Sequence, residues 1–84
     1  KLEAAIASYQ TALRLDPNYA NAHYGLGSAL QDQGKLEAAI ASYQTALRLD
    51  LNFANAHNNL GLALKKQGKL EAAIASYQTA LRLD

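Results

Sequence analysis

Apolar residues recur along this chain with a helical period. In residues 35–49 the larger apolar side chains are Leu36, Ile40, Tyr43 and Leu47, with small Ala39 and Ala46 between them. Steps of three and four residues put all of these on one stripe of an α-helix, and Glu37, Gln44, Thr45 and Arg48 fall on the other side. In residues 20–33, His23, Leu26 and Leu30 share a face flanked by Ala22 and Ala29. Gly34 and Gly68 follow the last periodic residue of their segments, where a left-handed helix cap favours glycine. Asn18 and Asn52 stand where the next helix needs an N-cap acceptor. The pattern predicts five helices, near 2–15, 19–33, 36–49, 53–67 and 70–83. Their short connections force antiparallel neighbours.

The pattern is also copied. KLEAAIASYQTALRLD stands at 1–16, 35–50 and 69–84, identical each time, and similar segments fill 17–34 and 51–68. The period is 34 residues, so the chain reads as one array over 1–84: a half repeat at 1–16 and repeats at 17–50 and 51–84. A period of this size marks a solenoid in which each unit buries its apolar face only by stacking on the next. The fold class expected is all-α.

A helix–turn–helix period of this length resembles the tetratricopeptide repeat family, and the resemblance covers the whole chain. The family's first-helix pattern of Trp, two residues, Leu-Gly, two residues, Tyr reads here as His23, Leu26-Gly27, Leu30, and again as His57, Leu60-Gly61, Leu64. Its second-helix residues are matched by Ala39, Tyr43 and Ala46, and by Ala73, Tyr77 and Ala80, and its terminal proline by Pro17. Histidine replaces the tryptophan, leucine the tyrosine, and Leu51 the second proline, and the array begins with a second helix before any first helix. The resemblance implies an α-solenoid of antiparallel helix pairs wound into a right-handed superhelix.

The two first helices differ from each other at 24/58, 25/59, 28/62, 31/65 and 32/66, all within about one third of the helix circumference. The opposite, shared face is expected to pack on neighbouring helices, leaving the differing face free of that demand. In the family, first helices line a concave groove that holds an extended peptide or a partner helix. By that resemblance the groove residues are Asn21, Tyr24, Ser28 and Gln31, then Asn55, Asn58, Asn59, Leu62 and Lys65. An asparagine amide both donates and accepts, so it can hold a peptide backbone whatever the side chains. Asn59 resembles the groove asparagine of arrays attached to O-linked N-acetylglucosamine transferases, and Gly25 breaks that ladder in the other repeat. A clamp for a C-terminal carboxylate does not fit Tyr24, Ser28 and Leu62. The plain alternative is a merely solvated face.

Composition adds exclusions. With 84 residues, half of them apolar, one small globular domain is expected. Cysteine is absent, which removes disulfides and thiolate sites and accords with a cytoplasmic protein. No apolar run is long enough for a membrane span, no signal-peptide pattern opens the chain, and a net charge of +1 gives no reason to expect nucleic acid. His23 and His57 have no acidic or thiol companions at ligand spacing, so they read as half-buried packing residues rather than metal ligands. Ser8, Ser42 and Ser76 lie within helices, without a nucleophile's exposed elbow. Glu3, Glu37 and Glu71 sit in first turns and Lys65 and Lys66 in a last turn, where each complements the helix dipole. The expectation is therefore no enzyme, no cofactor and no metal.

Two functions remain in view. One is a scaffold that binds a protein or peptide. The other is a self-assembling unit, because 1–16 and 69–84 lack a polar cap and should expose part of a stripe, including Leu70, Ile74, Tyr77 and Leu81. The identity of the three units also suits either a designed sequence or a recent duplication. RLDPNYA at 14–20 returns as RLDLNFA at 48–54, so the second junction lacks Pro17's helix-stopping ring. Packing by Leu51 and Phe53 with capping by Asn52 would keep a turn there. A straight helix through 36–67 would instead exchange a hairpin between two chains, giving a swapped homo-oligomer.

Overall fold

The residues of LEAAIASYQTALRL are mostly strong helix formers, alanine, leucine, glutamate, glutamine and arginine. In the structure, a computed structural model that describes residues 1–83, all three copies are helical: α1 (Leu2–Leu15), α3 (Leu36–Leu49) and α5 (Leu70–Leu83). The intervening segments form α2 (Ala20–Asp32) and α4 (Ala54–Lys66). The last two are one residue shorter at each end than the sequence pattern suggests.

Both ends of α2 and α4 have a local cause. At the C-terminal ends Gly34 and Gly68 take φ +82°, the left-handed conformation that spares the chain a Cβ clash. Lys35 N–H then donates to Leu30 C=O and Gly34 N–H to Gln31 C=O, each at 2.9 Å, which satisfies two terminal carbonyls. Lys69 and Gly68 repeat this pattern with Leu64 and Lys65.

The N-terminal ends correct the expected caps. Asn18 and Asn52 are not N-caps; Tyr19 and Phe53 hold that place, without a side-chain cap bond. The aspartate two residues before each asparagine acts instead. Asp16 Oδ1 accepts from Asn18 N–H and Asp50 Oδ1 from Asn52 N–H, both at 3.1 Å, the short-range bond that lets aspartate organise a turn. Tyr19 N–H and Phe53 N–H close the turns by donating to the Asp16 and Asp50 carbonyls at 3.2 Å.

Residues 50–53 therefore turn; they do not continue α3 into α4. The straight helix is overturned because Asp50 supplies the turn chemistry whether proline or leucine follows it. Leu51 contributes no packing either, being 73% exposed.

Each helix packs on the next, and α2 touches α4, whereas among the described residues α1, α3 and α5 make no contact with one another. Helices on the inner side of a curved array lie closer together, so α2 and α4 form the concave row. The core lies where α3 meets its neighbours. Ala39, Ala46, Ala56 and Ala63 are fully buried, and their small side chains let the helices approach closely. Tyr43 is the largest fully buried side chain. Its ring lies where a Cβ on Gly27 would stand, 2.7 Å from that position.

Candidate functional site

Residues 55, 58, 62 and 65 are spaced by three, four and three, which aligns them along one side of α4. Asn55, Asn58, Leu62 and Lys65 are all exposed there. The same stripe on α2 differs. Asn21 is exposed, but Tyr24, Ser28 and Gln31 are half-buried, because α4 leans against α2.

The half-buried members are tied into a network across three helices. Tyr43 of α3 donates its hydroxyl to Gln31 Oε1 at 2.8 Å. Asn59 Nδ2 of α4 donates to the Tyr24 hydroxyl oxygen of α2 at 3.2 Å. The Tyr24 ring lies 6.1 Å from the Tyr43 ring and 4.8 Å from the Phe53 ring, tilted to both, a geometry that suits aromatic pairs. Burial pushes the Tyr43 hydroxyl above its ordinary pKa, and the nearby Asn59 amide pulls the other way. Tyr24, Asn59 and Phe53 thus join one repeat to the next, and Gln31 ties α2 to α3 within one repeat. The expectation of a free face at every differing position fails here. The period alone shows that 25 and 59 are equivalent, not that each meets a tyrosine of an earlier helix.

Gly25 makes the same point. It is buried, and a Cβ there would run into Cζ of Tyr9. The missing side chain admits the α1 tyrosine, so Gly25 is a packing residue rather than a gap in a ladder of asparagines. Sequence reasoning placed Tyr43 in an apolar stripe and in the family's second-helix pattern, without its hydroxyl's part in a network. Its recurrence as Tyr9, Tyr43 and Tyr77 was the available sign of a larger part.

The histidines are half-buried as expected and also bonded. His23 Nε2 lies 2.9 Å from the Pro17 carbonyl oxygen and His57 Nε2 3.1 Å from that of Leu51. A carbonyl only accepts, so each Nε2 carries the proton and ties its helix to the preceding turn.

Two clefts open beside these rows. One of about 470 Å³ is lined by Ala54, Asn55, Asn58, Tyr77, Ala80 and Leu81. Another of about 400 Å³ is lined by residues of α1 and α2 that include Tyr9, Tyr19 and Asn21. Asparagines 21 and 55 are equivalent in the repeat, but Asn21 borders the cleft towards the preceding helix and Asn55 the cleft towards the following one. Among the described residues no group of His, Cys, Asp and Glu is arranged to hold a metal ion. No described helix is long and apolar enough to cross a membrane.

Comparison with known proteins agrees with this geometry. A family model described as TPR repeat matches residues 1–34 and 27–68, and one described as tetratricopeptide repeat matches 54–84. No curated protein matches. Among solved structures, a crystal structure of MamA superposes with a TM-score of 0.93 at 30% identity, over 98% of this chain and 48% of that one. The MamA AMB-1 structure gives 0.92 at 27% identity, over 100% and 49%. The MamA MSR-1 structure gives 0.92 at 27%, over 100% and 48%. The chain spans about half the length of these MamA chains. With family matches along its full length and an all-α array repeating every 34 residues, the chain belongs to the tetratricopeptide repeat family of protein-interaction scaffolds.

Proposed function

We propose that this chain is a non-enzymatic scaffold that binds a peptide or partner helix along the first helices, chiefly α4. The observation that carries the reading is the exposed stripe Asn55, Asn58, Leu62 and Lys65 on the concave row. Two asparagine amides offer donors and acceptors to a backbone, Leu62 offers an apolar contact and Lys65 a positive end. On α2 only Asn21 stays open, because Tyr24, Ser28 and Gln31 are half-buried under the next repeat. Binding therefore centres on α4 and the cleft beside it.

Selection of a random-peptide display library on the immobilised chain, followed by calorimetry on the hits, tests this. Saturable binding that weakens in an Asn55→Ala, Asn58→Ala double variant is the expected result. Hits that bind the double variant equally well, or a selection that yields none, would overturn it.

A further inference from the structure

The outer row of helices carries one face that no neighbour covers. On α3, Glu37, Ala41, Gln44 and Arg48 follow one another by four, three and four residues, which aligns them in a single stripe. The same stripe recurs on α1 from Glu3 to Arg14 and on α5 from Glu71 to Arg82. Every member is exposed, on α3 with helices packed to both sides as much as on α1 and α5. This exposure therefore does not depend on where the array begins or stops.

The stripe is also copied without change. Segments 17–34 and 51–68 differ at seven of their 18 positions, whereas the three copies of KLEAAIASYQTALRLD differ at none. Duplication by itself would leave both kinds of segment equally alike. A demand thus acts on α1, α3 and α5 that reaches their outward side, where packing within the chain makes none. The helix dipole accounts for an acid in the first turn and a base in the last, but it fixes neither the alanine nor the glutamine between them.

Reversed, the stripe complements itself. Glu37 and Arg48 lie about 16 Å apart along the helix. An antiparallel copy of the stripe sets arginine against glutamate at both ends, and the long Gln44 against the short Ala41 between them. The α4 stripe lacks this property, since reversal puts Lys65 on Asn55 and Leu62 on Asn58. The arginines are also held in place. Arg48 Nη2 donates to the Thr45 hydroxyl at 3.2 Å, and that hydroxyl donates to the Ala41 carbonyl oxygen at 3.0 Å. Thr11 and Thr79 hold Arg14 and Arg82 likewise. A neutral group thus steadies each guanidinium on the outer surface, with its charge open to a carboxylate from outside.

We propose that a second copy of the chain docks on this outer face, helix against helix and antiparallel, so that Glu37 of each copy meets Arg48 of the other. A two-fold axis running along the array produces this pairing and turns the α1 and α5 stripes towards their own counterparts in the same sense. Helix α3, in the middle of the convex row, makes the central contact. The interface is small and polar, so the association is weak and sensitive to salt. It leaves the α4 stripe free and is independent of peptide binding there.

Sedimentation equilibrium of the whole chain at low salt, up to about 1 mM, tests the proposal. A monomer–dimer equilibrium that added salt shifts towards monomer is expected. Arg48→Glu should weaken the dimer about fivefold or more, because the two-fold axis places the change at two contacts. Glu37→Arg combined with Arg48→Glu keeps the net charge, reverses both signs on α3 and should bring association back near the parent's. Ala41→Arg should weaken it too, by filling the short position that faces Gln44. All these positions are exposed, so an unchanged melting temperature checks that each variant folds. The Asn55→Ala, Asn58→Ala double variant, which tests peptide binding, should dimerise like the parent. A chain monomeric at every concentration overturns the proposal, as does a dimer indifferent to Arg48→Glu or a charge swap that fails to restore it. A dimer lost instead in the double asparagine variant or on Leu81→Lys sits on another face and overturns it as well.

Discussion

His57 Nε2–H donates to the Leu51 carbonyl oxygen at 3.1 Å, six residues back across the turn. His23 makes the same bond to Pro17 at 2.9 Å. The two junctions therefore share one clasp, built from an aspartate that bends the chain and a histidine that ties the next helix to the bend. Proline is an addition to this device, and the loss of its ring at Leu51 leaves the turn standing.

Leu51→Pro should therefore stabilise the chain. Pro17 occupies the same place in an equivalent turn, Leu51 N–H donates no turn bond, and its side chain is largely exposed. A proline that fits the native backbone lowers unfolded-chain entropy by about 0.4–1 kcal/mol. Denaturant titration should show a higher midpoint with an unchanged slope.

Replacing the clasp should cost stability. His57→Phe keeps a ring of similar size but leaves the Leu51 carbonyl without its donor, a loss of about 0.5–1.5 kcal/mol. The same change in a Leu51→Pro background should cost less, because proline holds the turn independently. A double-mutant cycle on melting free energies reads this coupling directly, and strict additivity would contradict the shared-clasp account.

Two glycines inside α2 should respond differently to alanine. At Gly27 the new Cβ meets the middle of the fully buried Tyr43 ring at 2.7 Å and the Ala39 carbonyl oxygen at 3.2 Å. Overpacking of this kind costs about 1–3 kcal/mol, more than the helix propensity gained. At Gly25 the obstacle is the far end of Tyr9, which is only half-buried and can swing aside. Gly25→Ala should be nearly neutral, since alanine is worth about 1 kcal/mol over glycine within a helix. Thermal melts of the two variants distinguish the sites.

Alkaline pH should loosen the repeat junction through Tyr43. Burial raises the pKa of its hydroxyl above 10.0, so the folded chain keeps a proton that the unfolded chain releases. That contribution is complete below the unfolded value, then is lost as pH climbs past it and through the folded value. Stability should fall as pH rises beyond about 10, and less steeply in Tyr43→Phe than in the parent. Tyr43→Phe should also lose about 1 kcal/mol at neutral pH, with the hydrogen bond to Gln31. Circular dichroism melts across this range supply both readings.

Much of the architecture was legible because helical period and repeat period are properties of the residue string. Leu36, Ile40, Tyr43 and Leu47 on one stripe imply α3, and Gly34 implies its predecessor's end. Less was legible about the site. Asn55, Asn58, Leu62 and Lys65 are exposed, yet their counterparts Tyr24, Ser28 and Gln31 are half-buried, because a helix one period later leans on the first set. Asn18 and Asn52 were natural cap candidates by type, but a carboxylate two residues earlier captured their backbone N–H groups first.

By itself the sequence determined five helices, their antiparallel order and the two glycine stops, since backbone preference and apolar spacing act within a few residues. Tertiary structure alone decided what each copy of an identical segment does. Leu47 is core and Leu81 is surface; Gly25 receives a tyrosine ring, while Asn59 bonds to one. Exposure belongs to a residue's neighbours and not to the residue, and in a stacked array those neighbours come from the adjoining repeat.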